Sequence, residues 1–392
     1  MTDREMLLAA ICANPDEDTP RLAFADWLQE QGGKENILRA DYIRGAIRLA
    51  REELFSPAWQ KAKKEWDKVN TKVHQRQVQH WVAHLKGRVV AFEFDRGFVG
   101  HITVHSKRFV AEAEQFFAQD PIRSVKFVTL AAARGTVPLK ELLACPHLVH
   151  VAKLNLDESQ LKDSDLALIG KARHLAGLKS ISLTGFQRFN PKGFVKLIQE
   201  LPALSELQMV SSARFDDRYA STLAGNVVFG KLTSLDLTNH RVDPKGLAAI
   251  LATKHGKNLR ELRLPVGAVY DLDTGQPTSE PRFSGYDGKV VAAVLGKARF
   301  PNLRFLDLNG CSLGDEGLVA LVKGGGFPLL RQLSLDGNGV TRDSLKVLAE
   351  SSVGKQLVYL SVGFSPQLES KKAMKEVCKM FPNARVEGYG IW

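Results

Sequence analysis

Between residues 303 and 340 the apolar positions fall into a phrase, L-x-x-L-x-L-x-x-(C/N)-x-L. Leu303, Leu306, Leu308, Cys311 and Leu313 fill it once; Leu330, Leu333, Leu335, Asn338 and Val340 fill it again 27 residues later. The fourth and sixth positions alternate, as a short strand with one buried face requires. The ninth position lies in a tight turn. There Asn338 can bond backbone groups through its amide, and Cys311 serves as a small, nearly apolar residue. The phrase starts at Ile122, Val151, Leu178, Leu204, Leu232, Leu259, Leu303, Leu330 and Leu357, at intervals of 29, 27, 26, 28, 27, 44, 27 and 27 residues. One interval is anomalous.

The second half of each unit reads as a helix. Asn190-Pro191-Lys192-Gly193-Phe194 and Asp243-Pro244-Lys245-Gly246-Leu247 are near copies: Asn or Asp caps the helix, and Pro is tolerated at its first position. Thr341 and Asp315 are expected to cap the corresponding helices of later units. Leu318, Leu321 and Val322 then follow at helical spacing. One such unit cannot bury its own apolar side. A stack of them makes a continuous core, with parallel strands on a concave face and helices on a convex one.

This pattern resembles the leucine-rich-repeat family, and the period near 27 with a true helix is most similar to its ribonuclease-inhibitor-type branch. The resemblance spans about 122–392 and implies an α/β solenoid that binds partners. Phe186 and His240 stand at ninth positions where the family favours Asn or Cys, so irregular turns are expected there.

The N-terminal segment has a different texture. Thr2-Asp3-Arg4-Glu5 is a capping box opening one helix, Thr19-Pro20 opens a second, and a third runs from about Glu35 to Leu54. Pro20-Arg21-Leu22, Ala25-Asp26-Trp27-Leu28 and Arg39-Ala40-Asp41-Tyr42-Ile43-Arg44 resemble a short helical "repeat-companion" domain of bacterial repeat proteins. That resemblance implies no catalytic activity. Asp26 and Arg44 are either exposed contact residues or partners of one another.

Residues 57–88 read as one long basic helix carrying Trp59, Trp66 and Trp81. From Lys34 to Arg88 there are 13 Lys or Arg against 6 Asp or Glu, a net of +7. Aromatics among cations suit nucleic acid or another polyanion; equally, they suit an amphipathic helix whose tryptophans face a core. His80 and His84, like His101 and His105, stand four apart but gain no nearby carboxylate or Cys, and no metal is expected. Residues 89–105 read as two strands around Asp95-Arg96-Gly97, placed with the helix before them to cover one end of the stack, with Lys371–Trp392 covering the other. The expected division is therefore 1–54, a helical domain; 55–120, a cap of basic helix and hairpin; and 121–392, the repeats.

The long interval reflects an insertion at about 265–288. It is either disordered or a contact element through Tyr270, Phe283 and Tyr286. Elsewhere, the third, fifth and seventh positions of each phrase should point into the concave face. They supply the candidate partner-binding residues Lys126, Lys153, Asn155, Gln208, Asp236, Arg263, Phe305, Asp307, Gln332 and Tyr359. Across all nine phrases these positions hold three basic and six acidic residues, a net of −3, although the whole chain of 392 residues carries +11. Phosphate neutralisation needs Lys and Arg in the groove, so a nucleic-acid site along the strands is disfavoured. Phe305 and Tyr359 are the aromatics best suited to anchor a partner.

No phosphate-binding glycine loop, G-x-S-x-G, H-E-x-x-H or cysteine cluster is present, and no cofactor is expected. Cys12, Cys145, Cys311 and Cys378 lack paired spacing, and no apolar run approaches the ~18 residues of a membrane span, so a reduced, cytoplasmic protein is expected. The leading expectation is a non-enzymatic, monomeric scaffold that binds a protein on the concave face. Polyanion binding through 57–88 and steric regulation or inhibition of a partner enzyme remain the alternatives.

Overall fold

The computed structural model describes residues 2–128, 130, 135–185, 187–210, 215–238, 242, 244–264, 288–365, 368 and 370–388. The insertion with Tyr270, Phe283 and Tyr286, and the turn residues Phe186 and His240, lie outside them. The chain is α/β and divides into two compact units, residues 1–159 with 171–181, and 160–170 with 182–392.

The first unit begins with helices α1 (Asp3–Ala13), α2 (Thr19–Gln31), α3 (Lys34–Arg51), α4 (Pro57–Asn70) and α5 (Gln75–Trp81). It continues through β1 (Ala91–Asp95), β2 (Phe98–Val104), α6 (Ser106–Gln119), β3 (Ser124–Phe127), α7 (Leu139–Leu143) and β4 (Lys153–Asn155). β1 and β2 are antiparallel; β2, β3 and β4 are parallel. Thr2 and Glu5 form the expected capping box. Ile11, Phe24, Ala25, Leu28, Ala40, Ile43, Ile47 and Phe98 make one core of three helices and a strand.

The hairpin is tied to those helices by its turn. Arg96 and Gly97 both have positive φ, 45° and 88°, as a two-residue hairpin loop of matching twist requires. Gly97 sits so close to α3 that a Cβ there would lie 2.8 Å from the Ile43 Cα. Arg96 ion-pairs with Asp18 at 2.9 Å and donates to the Pro15 and Asp16 carbonyls. Arg21, fully buried, donates to the Glu17 and Pro15 carbonyls at 2.6 and 2.8 Å. The two guanidiniums thus satisfy the backbone of the α1–α2 loop. Asp26 and Arg44 pair with each other at 2.6 Å.

The single basic helix expected over 57–88 is instead two helices and a 3-10 turn, Ala83–Leu85. α4 ends at Asn70, and His74 opens α5 with its own capping box to Gln77. The tryptophans are half-buried against aromatic neighbours: Trp66 and Trp81 lie 5.9 and 5.4 Å from Tyr42, and Trp59 5.4 Å from Phe55. The core-facing alternative describes them.

β5 (Ser180–Ser182) spans the division between units. The second unit holds α8 (Asp163–Gly170), α9 (Pro191–Glu200), β6 (Glu206–Gln208), α10 (Asp217–Ala224), β7 (Ser234–Asp236), α11 (Pro244–Leu251) and β8 (Glu261–Arg263). Then come α12 (Gly288–Leu295), β9 (Phe305–Asp307), α13 (Gly314–Gly324), β10 (Gln332–Ser334), α14 (Arg342–Glu350), α15 (Ser352–Gln356), β11 (Tyr359–Ser361), α16 (Lys371–Met380) and β12 (Arg385–Glu387). β6 to β12 are parallel and in register, so Glu206, Ser234, Glu261, Phe305, Gln332, Tyr359 and Arg385 form one rung. The 44-residue interval leaves that register intact, because Glu261 pairs directly with Phe305.

The apolar phrase is the core. The residues at its first, fourth and sixth positions are all buried, Leu154 being the most exposed at 3%. Burying such a side chain is worth about 1.5–3 kcal/mol, so every repeat brings its own driving force. The helix caps follow expectation only in part. Asn190 does cap α9, accepting from the Gly193 amide at 2.9 Å. Thr341 makes no side-chain cap bond to α14. Instead its amide and hydroxyl both donate to Asp315 of the preceding repeat, each at 2.8 Å. Asp163 likewise accepts from Asn190 at 3.0 and 2.6 Å. These carboxylates join successive repeats rather than cap their own helices.

Candidate functional site

The strand-lined face of the second unit carries Gln208, Asp236, Arg263, Phe305, Asp307, Gln332 and Tyr359; Lys126 and the pair Lys153 and Asn155 lie on β3 and β4 of the first. The fourth and sixth side chains are drawn into the core, which leaves the third and fifth for the other face. The middle rungs form a mixed cluster. The Arg263 guanidinium lies over the Phe305 ring, 4.6 Å from its centroid. It is 3.3 Å from a Glu261 carboxylate oxygen and 3.9 Å from one of Asp236. One cation therefore faces carboxylates on its own and the neighbouring strand while stacking on an aromatic.

Several polar residues of this face also serve the turns. The Asp236 carboxylate accepts from the Thr238 amide at 3.0 Å, Asp307 from the Asn309 amide at 3.1 Å, and Asn155 from the Asp157 amide at 3.0 Å. Each is a side chain bonding its own backbone two residues on, and the D-x-T, D-x-N and N-x-D spacings were readable as such turns. Asp336 accepts from the Gly363 amide and the Ser361 hydroxyl, and its own amide donates to Asn309 at 2.7 Å. Asn309 and Asp336, at seventh positions expected on this face, thus link rungs.

Charge on this face is tuned by burial. Asp307 is pushed up to about 6 by burial, with Asp236 and Asp336 adding to the rise and the Asn309 amide and Arg263 opposing it. Tyr359 is raised by burial and by Glu387, to which its hydroxyl donates at 2.9 Å. Because the folded state holds Asp307 above its ordinary 3.8, folding takes up a proton between about pH 4 and 6, and stability rises as pH falls through that window. The displacement, about two pH units, is worth roughly 3 kcal/mol at full strength. Partial exposure reduces this, so Asp307→Asn is expected to gain ~1–2 kcal/mol at pH 7. The gain should shrink at pH 5 in denaturant titrations; a loss at pH 7 would mean that Arg263 fully compensates the charge.

The histidines that stand four apart have other partners. His84 bonds Asp120 at 2.6 Å, and His101 bonds the Ser124 hydroxyl. No group of three or more His, Cys, Asp or Glu placed to hold a metal occurs among the described residues. Burial pushes the Cys12 thiol up to about 12, with Asp120 adding to the rise, so it stays protonated. No helix among the described residues is long and apolar enough to cross a membrane.

A family model described as a leucine-rich repeat matches residues 231–251 and 301–322, which hold β7 with α11 and β9 with most of α13. No curated protein matches the chain. Among solved structures, the chain is similar to the yeast Rad7 and Elc1 complex, at 19% identity over 69% of this chain and 76% of that one, with a TM-score of 0.37. It is also similar to a Bacteroides fragilis protein, at 15% identity over 70% and 76% respectively, with a TM-score of 0.42.

Proposed function

We propose that this chain, which is a leucine-rich-repeat protein, acts as a non-enzymatic scaffold that holds a partner protein on the strand-lined face of its second unit. The observation that carries the reading is the Glu261–Arg263–Phe305–Asp307 cluster. It presents Phe305 beneath the Arg263 guanidinium with the Glu261 and Asp236 carboxylates beside that cation, and acidic residues outnumber basic ones along the face. A partner with exposed Lys or Arg beside an apolar anchor fits it. The finer reading, steric regulation of a partner enzyme, uses the same surface.

Affinity capture from native cell extract, with and without nuclease, supplies the partner. The double variant Phe305→Ala with Tyr359→Ala is then expected to weaken binding of the retained protein by ~30-fold or more, the scale of two anchor residues, with an unchanged circular dichroism spectrum. A folded double variant of unaltered affinity would rule out this face. Retention lost with nuclease would favour the polyanion reading through 57–88. The companion-domain resemblance of the first 54 residues and a cytoplasmic location belong to the same proposal; the latter fits four free cysteines.

A further inference from the structure

Within the first unit, α1, α2, α3, α5, β2 and the end of α6 line an open cavity of about 190 Å³. Its most unusual wall is Arg39. The guanidinium carbon lies 4.0 Å from the centroid of Trp81 and 5.3 Å from that of Phe98. Nη1 is closed to water and has no hydrogen-bond partner among the described residues. No carboxylate among them ion-pairs with Arg39 either. The main acidic influence, Asp120, is already engaged, with one oxygen on His84 at 2.6 Å and the other on the Val99 amide at 3.2 Å. Burial brings Arg39 down to about 10, so it remains a cation at neutral pH. Arg39 is half-buried, and a guanidinium nitrogen taken from water without a partner is costly.

The remaining walls indicate what would pair it. Leu8, Leu28 and Phe98 are apolar, and Asn36 is a polar neighbour. Arg4, exposed on α1, also lines the space, as does Glu35. Arg4 and Glu35 are both exposed, and Asp120 is held by His84 and the Val99 amide, so Arg39 is left without an ion-pair partner among the described residues. That suits a monoanion rather than a phosphate dianion. The guanidinium lies over Trp81, and a planar, two-oxygen acceptor matches the fork of a guanidinium's donors.

We propose that this cavity binds a small monocarboxylate with a short apolar tail, its carboxylate on Arg39 and its tail against Leu8, Leu28 and Phe98. A cavity of ~150 Å³ admits benzene, so the volume here holds an acid of about four to eight carbons. The carboxylate comes either from a free acid or from an acidic side chain of a bound peptide. The site is independent of the strand-lined face. Arg39 stands in the stretch that resembles the companion domain, but the resemblance gives it no role.

Butyrate, phenylacetate and a blocked glutamate are titrated into the full-length protein, with butyramide as the uncharged control. Tryptophan emission and melting temperature are read. Saturable responses to either acid, absent with butyramide, are expected. A response to the free acids alone identifies a free ligand, and one to blocked glutamate alone identifies a peptide side chain. Arg39→Lys, which keeps the charge but loses the fork, should weaken binding by ~10-fold or more, and Arg39→Met should abolish it. No saturable response to any acid, an equal response to butyramide, or unchanged affinity in Arg39→Lys or folded Arg39→Met would overturn the proposal. Should Arg39→Met fail to fold, the conservative variant and the butyramide control still decide.

Discussion

Leu306→Ala is expected to lower the free energy of unfolding by about 2–5 kcal/mol, as deletion of a fully buried leucine does when its surroundings close up only partly. Leu306 is 0% exposed on β9, and its neighbours across the sheet, Leu262 and Leu333, are equally inaccessible. The three fill the fourth position of successive phrases, so the cavity would open in a column of matched side chains with nothing flexible to fill it. Equilibrium denaturation by urea gives the value. A loss well under 1 kcal/mol would mean that the repeats relax into the space, and a loss near the top of the range that they do not.

Asn338→Leu is expected to cost a comparable ~2–4 kcal/mol for a different reason, because it removes the partner of several buried backbone groups at once. The side chain is 3% exposed. Its Oδ1 accepts from the Leu313 amide at 3.1 Å, and its Nδ2 donates to the Leu308 and Asp336 carbonyls at 2.8 and 3.3 Å. Leu308 and Leu313 belong to the preceding repeat, so one amide stitches two turns together. Leucine has the same branched skeleton but leaves the Leu313 N–H and the Leu308 C=O without this partner. Denaturation and amide hydrogen exchange check it together: exchange at Leu313 should accelerate most, and unchanged protection there would show that another acceptor replaces the side chain.

The leucine ladder was readable because alternation is a local property: a strand two or three residues long declares its buried face through the residue types alone. The rung at β12 was not. Phe381-Pro382-Asn383-Ala384-Arg385-Val386 repeats the Phe-Pro-Asn opening of Phe300-Pro301-Asn302, but it reaches the strand residue in register with Leu360, the half-buried Val386, one position sooner and has Ala where the phrase wants Leu. Only parallel pairing with β11 reveals it as a rung. The cross-repeat roles of Asp163, Asp315 and Asn338 escaped in part for the same reason. Each partner lies about one period away, and only stacking brings it within bonding distance. In the basic segment, charge and aromatic content were correctly read, but the break at Thr71–His74 depends on a capping box headed by His74, an unusual cap.

The binding face was legible as a set of positions and illegible as an electrostatic object. Sequence spacing placed Arg263, Phe305 and Asp307 on one face. That Arg263 leans over Phe305, or that burial pushes Asp307 up to about 6, depends on neighbours brought in by pairing across the 44-residue interval. The Arg39 cavity had no sequence signal, since it joins residues from α1 to the end of α6.

The sequence by itself therefore determined the repeating α/β unit, its period, its buried positions and the net acidity of the strand face, because each follows from residue types read over one turn or strand. The tertiary structure alone decided which side chains join one repeat to the next, which cations find counter-charges, and that Arg39 stands in a cavity without one. Those outcomes depend on distances between residues far apart in the chain, and hydrogen bonding and desolvation change within an ångström while sequence spacing does not.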